Sequence, residues 1–175
     1  MIFNKPNKIL TSRLSLRSIN CNDIECVVDI LSNDKIAETF ILPDFNSPEE
    51  KNKLFNRLAD LSEKCNRFVY GIDLRNKLIG FINDVEIEDN QIELGIVIHP
   101  DYWRNGYATE VLTAAIATLF DMGYSVVKTA AFEENLASLR VMEKSGMIRL
   151  DYVDTVEYRG VIHKCIWYEK RKIFK

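Results

Sequence analysis

The sequence contains few residues that bind metals and no long apolar run. Only two histidines accompany four scattered cysteines, which are Cys21, Cys26, Cys65 and Cys165. Because no Cys-x-x-Cys pair occurs among them, we expect no metal site, and we expect reduced thiols in the cytoplasm. No apolar run approaches the ~20 residues that span a bilayer, and residues 1–6 do not resemble a secretory signal. The sequence therefore predicts neither a membrane partner nor secretion.

The chain also lacks the surplus of basic residues that is typical of nucleic-acid binding. Its 23 Lys and Arg residues are outnumbered by 26 Asp and Glu residues, which gives a net charge of −3. A nucleic-acid partner is therefore not expected, and a cationic substrate is slightly favoured over an anionic one. Hydrophobic content of 47% and charged content of 28% are typical of a soluble globular protein. We expect residues 1–175 to form one domain, as a monomer or a homodimer.

Residues 91–123 predict a strand, a loop and a helix in succession. Apolar residues recur at every second position, which indicates a strand, at Ile92, Leu94, Ile96 and Ile98. Pro100 ends this strand, and apolar residues at helical spacing begin at Tyr107. A small-residue turn that opens a helix, as at Gly106, favours anion binding because the first helical turn leaves N–H groups unpaired. A purely structural turn would explain the same pattern.

Patterning along the rest of the chain predicts an α/β fold with one mixed sheet. The expected strands are 10–19, 67–73, 77–88, 91–98, 126–132, 147–157 and 161–168, of which 67–98 form an antiparallel meander. The expected helices cover 24–31, begin at 48, begin at 107 and follow 135. This gives about seven mostly antiparallel strands, with four helices on both faces.

Three other segments carry weaker expectations. Arg13 and Arg17 of the first strand are expected to face solvent. Residues 34–46 are either a connection with buried aromatic residues or part of a substrate wall, together with the hairpin tip at 158–163. Residues 170–175 are expected to be a frayed end.

Three stretches together resemble the GNAT superfamily of acetyl-CoA-dependent N-acyltransferases. Residues 104–108, Arg-Asn-Gly-Tyr-Ala, are similar to the second half of its (Gln/Arg)-x-x-Gly-x-(Gly/Ala) pyrophosphate loop, with Trp103 where many members have Gln or Arg. Residues 135–138, Asn-Leu-Ala-Ser, and the turn at 142–147 resemble its Asn-x-x-Ser helix and the end of that helix. Residues 10–17, Leu-Thr-Ser-Arg-Leu-Ser-Leu-Arg, resemble the opening strand of the RimJ/RimL branch, which acetylates protein N-termini. The resemblance implies a GNAT-like fold.

The resemblance also implies where acetyl-CoA binds. Backbone N–H groups would hold the pyrophosphate, and they belong to Arg104, Asn105, Gly106, Tyr107, Ala108 and Thr109. The exposed edge of Ile96, Val97 and Ile98 would pair with the pantetheine amides as an added strand. Asn135 would cap its helix and bind pantetheine. The Arg104 side chain either adds charge to a phosphate or stays at the solvated surface.

Two residues are candidates for proton transfer. Related enzymes place a glutamate at the strand position of Glu93 as the base; the alternative is a cross-strand partner of a basic residue. Ser138 lies one helical turn after Asn135, where family members hydrogen-bond the CoA sulfur. Its alternative role is that of an ordinary surface serine. Met142 occupies the position of a catalytic tyrosine in RimI-type enzymes, which excludes a phenol acid there.

The energy of amine deprotonation favours one class of acceptor. At pH 7 an α-amine with a pKa of ~8 costs about 1.4 kcal/mol to neutralise, whereas a lysine side chain at ~10.4 costs about 4.6 kcal/mol. Because Glu93 is the one evident base, we expect direct attack by a peptide or protein α-amine in a ternary complex. A small amine such as a polyamine or an antibiotic is an alternative acceptor. A CoA-binding module without catalysis is a further alternative.

Overall fold

The computed structural model describes residues 4–173, and its eight strands form one sheet in the order β1-β2-β3-β4-β5-β6-β8-β7. The strands are Lys8–Leu10 (β1), Ser15–Arg17 (β2), Tyr70–Leu74 (β3), Lys77–Glu88 (β4), Gln91–Ile98 (β5), Val126–Phe132 (β6), Ile148–Tyr158 (β7) and Val161–Arg171 (β8). The helices are Ile24–Leu31 (α1), Asp34–Ala37 (α2), Pro48–Glu63 (α3), Tyr107–Asp121 (α4) and Leu136–Lys144 (α5), with 3₁₀ turns at Cys21–Asp23 and Pro100–Tyr102. No helix within residues 4–173 is long and apolar enough to cross a membrane.

The sheet is mixed and mostly antiparallel, as predicted. Among the strands of residues 4–173, only β5 and β6 run parallel, and the meander of β3, β4 and β5 has the expected antiparallel pairing. Tight turns with left-handed backbone join these strands, at Arg75 and Asn76 (φ 53° and 69°) and at Asp89 (φ 52°). The turn residues in the sequence therefore correctly predicted where the central strands of the sheet turn into one another.

The two faces of the sheet bury separate hydrophobic clusters. On one face, Ile92 and Leu94 of β5 share a cluster with Leu112 of α4, and α5 packs on the same side. On the other face, Val97 shares a cluster with residues of α1 and α3. Because side chains alternate along a strand, Glu93 lies on the same face as Val97.

Gly80 allows β4 and β5 to approach closely. A Cβ atom added to Gly80 would lie 2.2 Å from the carbonyl oxygen of Val97, well inside van der Waals contact. The backbone spacing of these two strands therefore depends on glycine at this position.

The prediction of about seven strands and four helices was wrong in both counts. The expected strand 10–19 is interrupted because Thr11 N donates to Leu14 O at 3.0 Å, and the resulting turn separates β1 from β2. The fifth helix is α2, which lies where a connection or wall was expected. Its first turn is capped by Asn33, whose side chain accepts from Lys35 N at 3.1 Å.

Two smaller expectations were also wrong. Arg17 does not face solvent freely, because it forms ion pairs with Asp23 at 2.7 Å and Asp73 at 2.9 Å. The expected frayed end was wrong at residues 170–171, which belong to β8, and Lys170 Nζ donates to Gly146 O at 2.6 Å. Residues 174–175 of the expected frayed end lie outside the described residues, as do residues 1–3 of the N-terminal segment.

Candidate active site

A cleft opens where β5 and β6 separate. These two parallel strands are paired only at Gln91–Val126, Ile92–Val127 and Glu93–Lys128. Beyond Glu93, β5 continues beside β4 alone, while β6 continues beside β8. The carboxyl ends of both strands lie at the same end of the sheet, where ligands bind in open parallel sheets. The loop before α4 and the start of α5 therefore lie at the mouth of this cleft.

The edge of β5 presents specific backbone groups to the cleft. In an antiparallel ladder, alternate residues direct their N–H and C=O groups to the same neighbour. His99 N donates to Ile79 O at 2.8 Å, so the register turns the polar groups of Val97 towards β4 and those of Ile96 and Ile98 towards the cleft. Of the three residues predicted to pair with pantetheine, only Ile96 and Ile98 thus offer backbone groups on that side.

The side chain of Trp103 forms a hydrogen bond with one of these backbone groups. Its indole Nε1 donates to the carbonyl oxygen of Ile98 at 2.6 Å, which caps the end of the strand. Ile96 therefore presents both its N–H and its C=O to the cleft, whereas Ile98 retains its N–H. The family pattern marks position 103 as one where many members have Gln or Arg, and it gives no sign of this hydrogen bond.

The loop before α4 has the backbone conformation of an anion-binding turn. Arg104 and Gly106 are both left-handed, with φ of 63° and 78°. Asn105 Nδ2 donates to the carbonyl oxygens of Tyr102 at 3.1 Å and Trp103 at 3.0 Å, which fixes the loop from inside. Left-handed residues in such turns allow neighbouring N–H groups to converge on an anion.

The start of α4 leaves its N–H groups available. Gly106 is the N-cap and supplies no side-chain cap, and the first intrahelical bond runs from Glu110 N to Gly106 O at 3.1 Å. The N–H groups of Tyr107, Ala108 and Thr109 therefore precede the helical hydrogen bonds. Together with the positive end of the helix dipole, they make the start of α4 suited to an anion.

Glu93 lies at the closed end of the cleft, at the last pair between β5 and β6. It borders an open cavity of about 250 Å³, lined by Glu86, Glu88, Gln91, Ile92, Glu93, Lys128, Tyr152 and Trp167. The pKa of Glu93 is raised, first by burial and then by the negative charge of Glu86, while Lys128 opposes the shift. A carboxylate whose pKa is raised is a stronger base and is suited to accepting a proton.

The register partners of Glu93 bear on its alternative role as the cross-strand partner of a basic residue. Lys128 is its register partner on β6, and Glu86 is its partner on β4. Within residues 4–173, Glu93 forms no ion pair with Lys128, so the nearby charges shift its pKa without binding the carboxylate. The like charge directly opposite on β4 is unfavourable for structure and favourable for proton uptake.

Asn135 and Ser138 lie at the start of α5. The Asn135 side chain accepts from Ser138 N at 3.1 Å, which confirms the predicted cap. Its Nδ2 also donates to the carbonyl oxygen of Thr39 at 3.4 Å, so this side chain joins α5 to the segment after α2. The Ser138 hydroxyl has no hydrogen-bond partner within the described part of the chain. It is half-buried and therefore available to a ligand.

The structure does not bring Glu93 and Ser138 into contact. Glu93 lies on the face of α1 and α3, whereas α5 packs with α4 on the opposite face. Met142, at the position of the tyrosine acid, is 4% exposed and belongs to the core.

The two expected wall segments contact each other. Leu42 N donates to the Tyr158 hydroxyl oxygen at 3.4 Å, and Arg159 pairs with Asp44 at 3.4 Å. The 34–46 segment and the tip of the β7–β8 hairpin thus meet beside the cleft. Phe40 of the same segment packs 3.4 Å from the position of a Cβ on Gly95, over β5.

A pair of residues on the far side of the cleft, Glu134 and His163, carries no signal in the sequence. His163 Nδ1 contacts Glu134 Oε1, and the His163 ring stacks on Phe132 with centroids 4.2 Å apart. Neighbouring Cys165 is a poor nucleophile, because burial and the charges of Asp154, Glu134 and Glu93 raise its pKa. No pattern in the sequence links Glu134 with His163, since they lie 29 positions apart.

Comparison with known proteins shows one family and one fold. Residues 13–148 match the model of the acetyltransferase (GNAT) domain. The chain is 31% identical over 141 residues to the uncharacterized N-acetyltransferase YoaA of Bacillus subtilis (strain 168), covering 78% of this chain and 80% of that protein.

Two solved structures share the fold over nearly the whole chain. An acetyltransferase (GNAT family) from Bacillus anthracis superposes with a TM-score of 0.81 at 24% identity, covering 94% of this chain and 98% of the other. RimL, a ribosomal L7/L12 alpha-N-protein acetyltransferase in complex with coenzyme A, superposes with a TM-score of 0.83 at 18% identity, covering 94% and 97%.

Proposed function

Since the chain belongs to the GNAT family and is an acetyl-CoA-dependent N-acetyltransferase, we propose that it acetylates the N-terminal α-amine of a peptide or protein, with Glu93 as the base. The observation that carries this proposal is the position of Glu93. It is a half-buried carboxyl group with a raised pKa, at the closed end of the cleft and beside an open cavity. The acetyl group would be presented from the cleft and the amine from the cavity.

The proposed step moves one acetyl group from sulfur to nitrogen; the amine loses one proton to Glu93, and the thiolate gains one from water. The neutral amine nitrogen attacks the thioester carbonyl carbon, the new C–N bond forms, and the C–S bond breaks. The amine proton passes to Glu93, directly or through water, and the departing thiolate takes up a proton at the opposite side of the cleft. The half-buried Ser138 hydroxyl would donate a hydrogen bond to that sulfur.

The backbone supplies the cofactor contacts in this proposal. The N–H groups from Arg104 to Thr109 would hold the pyrophosphate, and the free groups of Ile96 would pair with pantetheine. Asn135 would bind pantetheine from the mouth of the cleft. Its amide oxygen already accepts a hydrogen bond from Ser138 N. The Arg104 side chain is exposed and would add positive charge beside a phosphate.

The character of the cavity supports an amine that is easily deprotonated. Glu86, Glu88 and Glu93 give it acidic walls, which attract a protonated amine but also stabilise its charged form. An α-amine titrates about one unit above neutrality, so a single carboxylate suffices to remove its proton. The solved neighbour RimL carries the name of an alpha-N-protein acetyltransferase, which agrees with this choice.

An acceptor panel tests the proposal. Purified protein is incubated with labelled acetyl-CoA and peptides whose α-amine is free or blocked, each with and without an internal lysine, and with polyamines in parallel. We expect transfer to free α-amines regardless of lysine content. Transfer to polyamines alone would establish the small-amine alternative. Binding of acetyl-CoA without any transfer would instead indicate a non-catalytic CoA-binding module.

A further inference from the structure

The turn between β1 and β2 is fastened to the first helical turn of α4. One carboxylate oxygen of Glu110 accepts from Thr11 Oγ1 at 2.6 Å, Ser12 Oγ at 2.9 Å and Arg13 N at 2.8 Å. The other oxygen accepts from Arg13 Nε at 2.7 Å. Residues 11–13, Thr-Ser-Arg, are therefore held against α4 by hydrogen bonds to Glu110, which lies about 100 positions away in the sequence.

The hydrogen bonds to Glu110 hold its carboxylate in the ionised form. Burial opposes its ionisation, but the hydrogen bonds from Thr11, Arg13 and Ser12 outweigh that effect and lower the pKa of Glu110 to about 2. Its side chain is only 13% exposed. A fixed negative charge therefore lies one turn from the loop at which a polyanion is proposed to bind.

Arg13 both compensates this charge and reaches the loop. Its Nη1 donates to the carbonyl oxygen of Asn105 at 2.9 Å, and its Cζ lies 4.6 Å from the centre of the Tyr107 ring. Its Nη2 lies 3.5 Å from the position that a Cβ on Gly106 would occupy. Within the described residues Nη2 has no acceptor. The guanidinium thus spans the loop from the Glu110 side to the glycine.

We propose that Arg13 is part of the pyrophosphate site: it holds the loop through Asn105 and presents Nη2 to the bound phosphates. This inference rests on the proposed location of the pyrophosphate at residues 104–109. Arginine is suited to the role because its planar fork can bind a carboxylate, a carbonyl and a phosphate with separate nitrogens. Without Arg13, the Glu110 carboxylate would face the phosphates uncompensated, and like charges in proximity repel.

The test compares two ligands that differ in the phosphates. Dissociation constants are measured by calorimetry for CoA and for pantetheine, which lacks the pyrophosphate and the nucleotide. Arg13→Gln is expected to weaken CoA binding about tenfold or more, a ratio that corresponds to ~1.4 kcal/mol, and to leave pantetheine binding within twofold. Arg13→Lys keeps the charge without the fork and should weaken CoA binding by a smaller factor. Arg57→Gln, which removes one exposed charge on α3, is the control and should change neither ligand.

Equal weakening of CoA and pantetheine by Arg13→Gln would overturn the inference, since it would show a general loss of structure. An unchanged CoA affinity would overturn it as well. The melting temperature of each variant separates these effects from unfolding.

A second pair of variants separates this inference from the proposed location of the pyrophosphate. Gly106→Asp puts a carboxylate into the loop at a left-handed position that Asp tolerates, and Gly160→Asp does the same in the β7–β8 turn, where φ is 75° and the space is open. If Gly106→Asp selectively weakens CoA binding but Arg13→Gln does not, the pyrophosphate location holds and the role of Arg13 is wrong. If neither variant affects CoA binding, the proposed location is wrong and the inference falls with it.

Discussion

Glu93 and Lys128 are the last register partners between β5 and β6, and the two strands separate immediately beyond them. The proposed base therefore lies between a glutamate on β4 and a lysine on β6, at the point where the sheet opens. Its ionisation is balanced by burial and by these two charges of opposite sign. A substitution at Glu86 on β4 or at Lys128 on β6 should therefore shift the pKa of Glu93, and with it the acid limb of the pH–rate profile.

Glu93→Gln is expected to lower kcat by about a hundredfold or more, the usual contribution of a general base. In the unmodified enzyme, kcat/KM should fall as the pH is lowered through the raised pKa of Glu93, because the protonated carboxyl cannot accept a proton. The variant should lose that acid limb. A pH–rate profile measures both effects, and an unchanged rate and profile would remove Glu93 as the base.

The same substitution should not destabilise the protein. A raised pKa means that the folded state binds the proton more tightly than the unfolded state does. The free energy of unfolding therefore falls as the pH rises through the titration of Glu93. Glu93→Gln removes this dependence, so at pH 7 its melting temperature should equal or exceed that of the parent. A marked decrease would show instead that the carboxylate has a structural role.

Substitutions of the two neighbours should shift the acid limb in opposite directions. Glu86→Gln removes a negative charge that raises the pKa of Glu93, so the limb should move to lower pH. Lys128→Gln removes the positive charge that lowers it, so the limb should move to higher pH. Both variants keep Glu93 itself, and their pH–rate profiles serve as controls for each other. Shifts of the same sign would contradict the assignment of the limb to Glu93.

Ser138→Ala is expected to lower kcat about tenfold, the loss of one hydrogen bond worth about 1.4 kcal/mol to the leaving thiolate. The cap on α5 uses the backbone N–H of residue 138, which alanine keeps. Alanine also has the higher helix propensity, so the melting temperature should not fall. Steady-state kinetics with saturating acetyl-CoA measure the effect. A kcat that stays within twofold of the parent value would show that Ser138 is an ordinary surface serine.

Asn135 offers a matched pair of substitutions. Asn135→Ala removes the cap of α5 and should cost about 1 kcal/mol of stability. Asn135→Asp keeps a cap acceptor for Ser138 N but loses the Nδ2 donor to Thr39 O. We expect the aspartate variant to retain most of the stability while weakening the tie between α5 and the wall segment. Chemical denaturation of both variants tests this; equal losses would show that the cap contributes little.

Gly80→Ala should destabilise the protein by about 3 kcal/mol, because its new methyl group would overlap the Val97 carbonyl and push β4 from β5. Gly160→Asn is the control, since asparagine tolerates the left-handed turn and nothing lies within 4 Å of its Cβ position. Thermal melts compare the two. Equal stability of the variants would mean that the β4–β5 spacing adjusts freely.

Local signals in the sequence predicted most of the elements. β4, β5 and β6 have the predicted bounds, and Ser47 with Pro48 begins α3 as expected. Capping residues, turn residues and alternation act over a few positions, so one sequence suffices to identify them. The three-residue strands β1 and β2 are too short to show alternation, and their separation depends on one turn.

The candidate site was predictable only in part. The loop, the edge of β5, Glu93 and the start of α5 were identified from motifs, and the structure places all of them around one cleft. The contacts of Arg13 with Glu110, of Trp103 with Ile98 and of Glu134 with His163 were not foreseen. Such contacts depend on how distant elements pack, which periodicity does not encode.

The short junction between β5 and β6 also bears on the order in which the molecule folds. It divides the sheet into a half formed by β1 to β5 and a half formed by β6, β8 and β7. Hairpins such as β4–β5 and β7–β8 close small loops, whereas the junction must close around the whole of α4. Forming the hairpins within each half therefore costs less loop-closure entropy than docking the two halves against each other. A chain that emerges from the ribosome only as far as α4 carries Glu93 and the loop but lacks β6 and β8 on the other side, so the cleft between β5 and β6 is among the last features to form.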